Sequence, residues 1–201
     1  REIHLIHCLG DHFRKALCEL IGCLVCCLCP LFYEFCSLRL VQLALLDEFV
    51  NEFNWVVQQA CGQVRGMVLD LRNNLGGELP VATTFSSLFL SDGQIVTKSI
   101  VRGQPVKDIL VVKSDQIIIA KSQIDQKVLA LLRTLPVTIL ANRSSASAAE
   151  ITLSALKDNH RGPIIGVTSF GKGVGYKTRR GPVGGHMSLT SLKYLTPQLI
   201  L

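Results

Sequence analysis

Three serines in the segment ANRSSASAAE, residues 141–150, are the first candidates for chemistry. Ser147 follows an apolar run and precedes a helix-like stretch, so we expect its hydroxyl at the carboxyl end of a strand, where α/β proteins place their sites. Amides at the start of that helix could bind a developing oxyanion. Ser147 and Glu150 also have the S-x-x-E spacing of a capping box. A nucleophile and a helix cap are therefore both open interpretations.

A serine nucleophile needs a base, and the chain offers two kinds. His160 and His186 lie downstream of the serine cluster, but the G-x-S-x-G elbow is absent. Lys172 stands in FGKG between two glycines, which let other main chain approach closely. Lysine is ordinarily protonated at neutral pH, so it acts as a base only where apolar surroundings favour the neutral amine. The alternative is a lysine in a surface loop.

The segment DLRNNLGG, residues 70–77, is the third candidate. Glycines that follow a strand can offer main-chain amides to an anion or to a substrate carbonyl. The same glycines could instead supply the positive φ angles of a tight turn.

Helices and strands must bring these segments together. Apolar runs and helical spacing alternate along the chain, which favours an α/β domain with right-handed crossovers. The predicted strands are 38–45, 64–72, 93–101, 136–142, 162–169 and 186–196, and the predicted helices are 47–60, 79–90, 125–135 and 147–159. We expect the region that follows the predicted strand 93–101, as far as residue 122, to form a loop with short strands.

The composition excludes several classes of protein. A hydrophobic content of 48% over 201 residues argues against disorder. No uninterrupted apolar run reaches roughly 18 residues, the length expected of a membrane span. The net charge is +6, and its one cluster, Lys177 to Arg180, lacks the interleaved aromatics of a nucleic-acid platform. We therefore expect a solvated basic surface and no nucleic-acid partner.

Seven of the eight cysteines fall between Cys8 and Cys36. Their sulfurs crowd into an apolar run, whereas a zinc site needs two ligand pairs separated by a loop. Residues 21–33 could be a signal-peptide core, a buried helix or sequence foreign to the downstream domain, because the composition changes near Leu38. We expect residues 1–37 to be an apolar cysteine-rich segment of uncertain status and residues 38–201 to be a truncated catalytic core.

Five segments together carry a resemblance: GMVLDLRNNLGG, NRSSASAAEI, ALKDN, IIGVTSFGKGVG and LKYLTP. Over roughly Leu38–Pro197 the chain resembles the carboxyl-terminal processing (tail-specific) proteases, the S41 serine peptidases. The resemblance implies a crotonase-like α/β core with a serine/lysine dyad and no metal or organic cofactor. It also implies protein or peptide substrates and an extracytoplasmic location, periplasmic or luminal. Membrane association and oligomeric state stay open.

The resemblance assigns roles to individual residues. Ser147 matches the nucleophile and Lys172 the general base. The amide of Ala148 and one amide of the Gly76–Gly77 turn match the oxyanion hole. Asp158 in ALKD matches an acidic residue that is important in some members, although a helix-end salt bridge is the alternative.

The chain also departs from the family pattern. Tyr176 stands where members often have a glutamine that orients the lysine, and Leu75 stands where NPGG is usual. No PDZ domain is recognisable in the first 37 residues. A non-catalytic paralogue that acts as a binding domain is therefore an alternative hypothesis. An acyl-CoA enzyme of crotonase type is a third, because the fold alone does not fix the function.

Overall fold

The computed structural model describes residues 3–5, 35–40, 46–59, 64–101, 103–113, 118–119, 122–123, 125–181 and 184–199. The cysteines from Cys8 to Cys29 lie outside these ranges, as do residues 21–33, so the interpretations of that stretch stay predictions. In the part of the chain that is described, no helix combines the length and the apolar character needed to cross a membrane.

Strands and helices alternate along the described chain as the sequence predicts. In chain order they are β1 (Ile3–Leu5), β2 (Phe35–Leu40), α1 (Leu46–Gln59), β3 (Gly66–Asp70), α2 (Leu79–Ser87), β4 (Ile95–Ile100), β5 (Lys107–Val111), β6 (Ile118–Ile119), β7 (Ser122–Gln123), α3 (Gln126–Thr134), β8 (Val137–Ala141), α4 (Ala148–Asp158), β9 (Ile164–Gly166), β10 (Val174–Arg180) and β11 (His186–Leu195).

The first sheet has the strand order β1-β2-β3-β8-β9. Its last four strands are parallel, and β1 pairs antiparallel with β2. Asp70 pairs with Leu140, and Ala141 pairs with Gly166. Parallel strands end at the same edge of a sheet, and the three candidate segments follow the neighbouring strands β3, β8 and β9. These segments therefore begin next to one another at that edge. The predicted domain boundary after residue 37 falls inside β2.

The second sheet is antiparallel, in the order β10-β11-β4-β5. Strands β10 and β11 form a hairpin, and the end of β11 pairs with β4. Two hydrogen bonds join β4 to its neighbours. The Thr97 hydroxyl donates to the Leu195 carbonyl at 3.0 Å, and the side-chain amide of Asn159 donates to the Ile95 carbonyl at 2.9 Å. The end of β11 is thereby held next to α4.

The core lies between the first sheet and its helices. Phe49, Phe85 and Phe89 are fully buried and meet edge to face, with ring centroids 5.0 to 6.1 Å apart. Arg161 closes the core at one end, where its guanidinium donates to the carbonyls of Phe89, Leu132 and Leu135. Burial lowers the pKa of Arg161, but arginine keeps its charge at neutral pH.

The sequence misses one strand and extends another too far. Residues 174–180 form strand β10, which the sequence does not predict, because pairing with β11 makes a strand without an apolar face. The strand predicted at 162–169 ends at Gly166, since the following residues turn toward α4. The predicted helices are confirmed, although the one expected at 79–90 ends at Ser87.

Candidate active site

Ser147 has an unusual main-chain conformation. Its φ is 57° and its ψ is −120°, a combination that side-chain-bearing residues rarely adopt. Strain of this kind costs on the order of 1–3 kcal/mol and persists only where the surroundings enforce it. Ser147 stands between the end of β8 and the first residue of α4, as predicted. The main chain therefore holds this serine in a strained turn at a helix start.

Gly76 packs directly against that turn. A β-carbon at this position would lie 2.6 Å from the Ala146 carbonyl oxygen and 2.7 Å from the Ala148 amide nitrogen. Gly76 also has φ +96°, which favours glycine. The Ala146 amide donates to the Asn74 carbonyl at 2.9 Å. The LGG segment and the serine turn are thus in main-chain contact.

The other serines of the cluster have different surroundings. Ser145 is fully buried, and its hydroxyl donates to the Leu71 carbonyl at 2.8 Å and accepts from the Asn142 amide at 3.0 Å. The Asn142 side chain bonds Asn73 in both directions, at 2.8 and 3.0 Å. Ser144 is exposed. Ser145 is therefore a structural link between the two turns.

Glu150 connects the serine turn to the FGKG loop. Its Oε2 accepts the amides of Ser147 and Lys172, each at 2.8 Å. Its Oε1 accepts the Ser169 hydroxyl at 2.7 Å and the Gly171 amide at 2.6 Å. Two bonds of 2.8 Å to one oxygen place the nitrogens of Ser147 and Lys172 at most 5.6 Å apart. A single carboxylate therefore brings the two segments together.

The capping-box arrangement predicted for Ser147 and Glu150 is present at the start of α4. The Glu150 amide donates to the Ser147 main-chain carbonyl at 2.8 Å. In this arrangement the Ser147 side-chain oxygen faces the Glu150 main-chain amide, and its hydroxyl donates no hydrogen bond within the described part of the chain. The serine can therefore cap the helix and still have its hydroxyl proton available to a base.

Two amides beside Ser147 have no hydrogen-bond partner in the described part of the chain: those of Ala148 and Gly77. The amide of Gly76 instead donates to Asn74 Oδ1 at 2.8 Å. In the glycine turn, the amide of Gly77 is therefore the candidate donor to an oxyanion. Gly76 allows the close approach, and Gly77 and Ala148 can offer N–H groups to an anion.

A cavity of about 720 Å³ opens beside these residues. It runs along α4, and its other walls are the loop after β9 and the end of β11; Ser147, Glu150 and Lys172 all line it. Tyr194 also lines it, and burial raises the pKa of this phenol, so the side chain is uncharged at neutral pH. The exposed histidines His160 and His186 do not line it.

Asp158 lies at the opposite end of the cavity from Ser147. It is the last residue of α4, so the helical rise places it about 16 Å from the serine. Its Oδ2 accepts the Gln198 amide at 3.1 Å. Direct contact between Asp158 and the Ser147 hydroxyl is excluded by this distance, and any role of Asp158 concerns the far end of the cavity.

The Lys172 ammonium lies 5.4 Å from the centroid of the Tyr176 ring, within cation–π range. No hydrogen bond or ion pair of this ammonium is found among the described residues, and this includes the Ser147 hydroxyl. The side chain is half-buried. In this structure the lysine contacts Tyr176, with the serine close by.

The sequence of residues 37–199 matches the pattern of the family described as Peptidase family S41. The chain belongs to peptidase family S41. Its motifs, its strand order and its match over most of its length agree on this assignment.

Relatives with curated descriptions point the same way. The chain is 31% identical over 134 residues to a probable CtpA-like serine protease of Staphylococcus epidermidis and 34% identical to one of Staphylococcus aureus (strain bovine RF122 / ET3-1). Each match covers 67% of this chain and 24% of the relative. The chain thus spans about a quarter of the length of these S41 relatives.

Solved structures share the fold. The photosystem II D1 C-terminal processing protease matches 83% of this chain and 39% of its own, with a TM-score of 0.65 and 26% identity. A putative S41 protease from Bacteroides fragilis NCTC 9343 matches 82% of this chain and 43% of its own, with a TM-score of 0.59 and 19% identity. The α/β fold is that of the S41 proteases.

Sequence reasoning missed the wider role of Glu150. The capping-box spacing indicates its bond to the Ser147 amide, and the structure shows that bond. The bonds from Glu150 to Ser169, Gly171 and Lys172 join segments that are distant in sequence, and spacing carries no signal for them.

Proposed function

We propose that this chain is the catalytic core of a serine endopeptidase that cleaves proteins near or from their carboxyl termini. The observation that carries the proposal is the shared Glu150 oxygen, which draws the Ser147 turn and the Lys172 loop together at one cavity. The strained main chain of Ser147 supports the same role, because strain of this kind concentrates at functional sites.

In the proposed mechanism, neutral Lys172 removes the proton from Ser147 Oγ as this oxygen attacks the scissile carbonyl carbon. The carbonyl oxygen becomes an oxyanion in the tetrahedral intermediate. The protonated lysine then gives its proton to the leaving amine as the C–N bond breaks. The ester left on Ser147 is hydrolysed by water, which loses a proton to Lys172, and Lys172 returns that proton to Ser147 Oγ as the ester C–O bond breaks.

Gly77 and Ala148 stabilise the oxyanion through their amides in this scheme. Each such donor contributes about 3 kcal/mol to the transition state in comparable enzymes. Their lack of other partners in the described chain supports the assignment. No metal or organic cofactor takes part in these steps.

Protein or peptide substrates in an extended form suit the cavity. Val167, which lines the cavity, is 56% exposed; Phe170 on the same loop and Leu75 on the glycine turn are 66% and 69% exposed. Surfaces of this kind bind apolar side chains that a folded protein would bury. The name of the D1 C-terminal processing protease describes that protein's action at a carboxyl terminus, and we extend this preference to the present chain.

The test is cleavage of an unstructured protein with a nonpolar carboxyl terminus, with the products measured by mass spectrometry. Ser147→Ala and Lys172→Met abolish cleavage if the proposal is right. Ser144→Ala and Lys127→Met are matched controls, because both residues are exposed and lie outside the cavity. Cleavage that survives in both site variants contradicts the dyad.

We also propose an extracytoplasmic location, periplasmic or luminal, on the basis of the family resemblance. Fractionation of cells that express the chain in its natural context tests it. Recovery of the protein in the cytosolic fraction contradicts this proposal.

A binding domain without catalysis is the second candidate. It is favoured by one observation, that the Ser147 hydroxyl and the Lys172 ammonium are not hydrogen-bonded to each other among the described contacts. Substrate binding without any cleavage, by a chain whose Ser147 does not react with a serine-directed probe, would support it.

A further inference from the structure

Tyr176 is an aromatic residue without a core role. Its side chain is 53% exposed, and it does not line the cavity or belong to the packed core. Its described contact of note is with Lys172, whose ammonium lies 5.4 Å from the ring centroid. A half-exposed ring that lies outside the packed core and faces a cation calls for an explanation in terms of that cation.

The strand geometry turns Tyr176 toward Lys172. Strand β10 pairs Gly175 with Leu192 and then Tyr176 with Thr190, so Ser191 is an extra residue on β11. Such bulges re-aim side chains and are frequent beside active sites. The Ser191 hydroxyl donates to the Gly175 carbonyl at 3.3 Å and so stabilises the bulge.

The neighbouring residues fix the strand on which Tyr176 stands. A β-carbon on Gly175 would lie 2.7 Å from the Tyr194 hydroxyl oxygen, so only glycine fits there without a shift. The Tyr194 amide donates to the Gly173 carbonyl at 2.8 Å. The main chain around Lys172 is thus anchored to Glu150 on one side and to β11 on the other.

Only the lysine side chain is left to be positioned. We propose that Tyr176 is the positioning residue for Lys172, holding its ammonium against the ring face beside the Ser147 turn. This inference rests on the proposed function, in which Lys172 is the base.

Loss of the ring should lower the maximal rate, because the amine is then no longer held in place beside the Ser147 turn.

The test compares Tyr176→Leu and Tyr176→Phe with the unaltered full chain. We expect Tyr176→Leu to lower kcat about tenfold with little change in KM. Tyr176→Phe keeps the ring face and should retain the rate. Leu189→Ala, on the neighbouring strand and equally exposed, is the matched control.

A readout without catalysis completes the test. The ring current of Tyr176 should shift the side-chain protons of Lys172 in NMR spectra of the unaltered chain and of Tyr176→Phe, and this shift should vanish in Tyr176→Leu. If the unaltered chain shows no Ser147-dependent cleavage, the proposed function fails, while the NMR shift still decides whether Tyr176 holds Lys172. Unchanged kcat in Tyr176→Leu, or no ring-current shift, overturns the inference.

Discussion

The main-chain amides of Ser147 and Lys172 donate to the same atom, Oε2 of Glu150, at 2.8 Å each. The Ser147 turn and the Lys172 loop are therefore joined through one carboxylate. The second oxygen of that carboxylate holds Ser169 and Gly171 of the same loop. The spacing of the two reactive side chains thus depends on a residue that does not itself react in the proposed mechanism.

Replacement of Glu150 should disrupt this spacing. In Glu150→Gln the side-chain NH₂ group faces amide donors, so at least one of the four bonds is lost. We expect kcat to fall about 100-fold, because small misplacements of reacting groups are costly, and we expect the melting temperature to fall. Glu78→Gln is the matched control, since Glu78 stands at the start of α2 without a side-chain cap bond. Full kcat in Glu150→Gln would contradict the positioning role.

Gly76 offers a test of the close approach between the two turns. We expect Gly76→Ala to abolish cleavage, because its β-carbon would collide with the main chain of residues 146 and 148. Gly93→Ala is the control, since Gly93 has φ +85° and no neighbour within 4 Å of the added carbon. Both changes introduce the same main-chain strain, of about 1 kcal/mol. Cleavage assays on folded protein would show loss in the first variant alone; equal activity in both would argue against the proposed contact.

Asp158 should influence substrate binding more than the chemical step. It lies about 16 Å from Ser147 along α4, at the far end of the cavity. For Asp158→Asn we expect kcat to stay within about twofold and KM to rise by about two- to fivefold, as for removal of one partly exposed charge. Steady-state kinetics on the same unstructured substrate measure both. A large fall in kcat with unchanged KM would place Asp158 in the chemical step instead.

Arg161 should matter for stability rather than for catalysis. Its guanidinium donates to three main-chain carbonyls at 2.6 to 2.9 Å. In Arg161→Met these carbonyls lose the hydrogen bonds from the guanidinium. We expect the free energy of unfolding to fall by about 2–3 kcal/mol. Urea denaturation measures the free energy of unfolding of this variant and of a control, Arg179→Met, which replaces an exposed arginine on β10. Equal stability of the two variants would show that water replaces the guanidinium at no cost.

Much of the site can be predicted from sequence because parallel strands end together. Three candidate segments each come after a predicted strand, and the pairing of β3, β8 and β9 brings them to one edge. The sequence predicts Ser147 at a helix start, and the structure shows it there with a strained main chain. The periodicity that predicts α1 and α4 is strong since both helices bury one apolar face.

The other features of the fold and of the candidate site depend on tertiary contacts, which local sequence patterns do not predict. Strand β10 has no apolar alternation, and it forms because β11 supplies its hydrogen bonds. The preference for Gly77 over Gly76 as the proposed oxyanion donor rests on the bond from the Gly76 amide to Asn74 Oδ1. The contact of Lys172 with Tyr176 depends on the bulge in the hairpin.

The most direct test of the proposed dyad is the reaction of Ser147 with a serine-directed fluorophosphonate, monitored by intact-mass measurement and peptide mapping. The account predicts one adduct, located on Ser147, whose formation is at least about 100-fold slower in Lys172→Met and unchanged in Lys127→Met. Labelling of Ser147 at equal rates in the unaltered chain and in Lys172→Met, or no labelling of Ser147 in the folded unaltered chain, would contradict it.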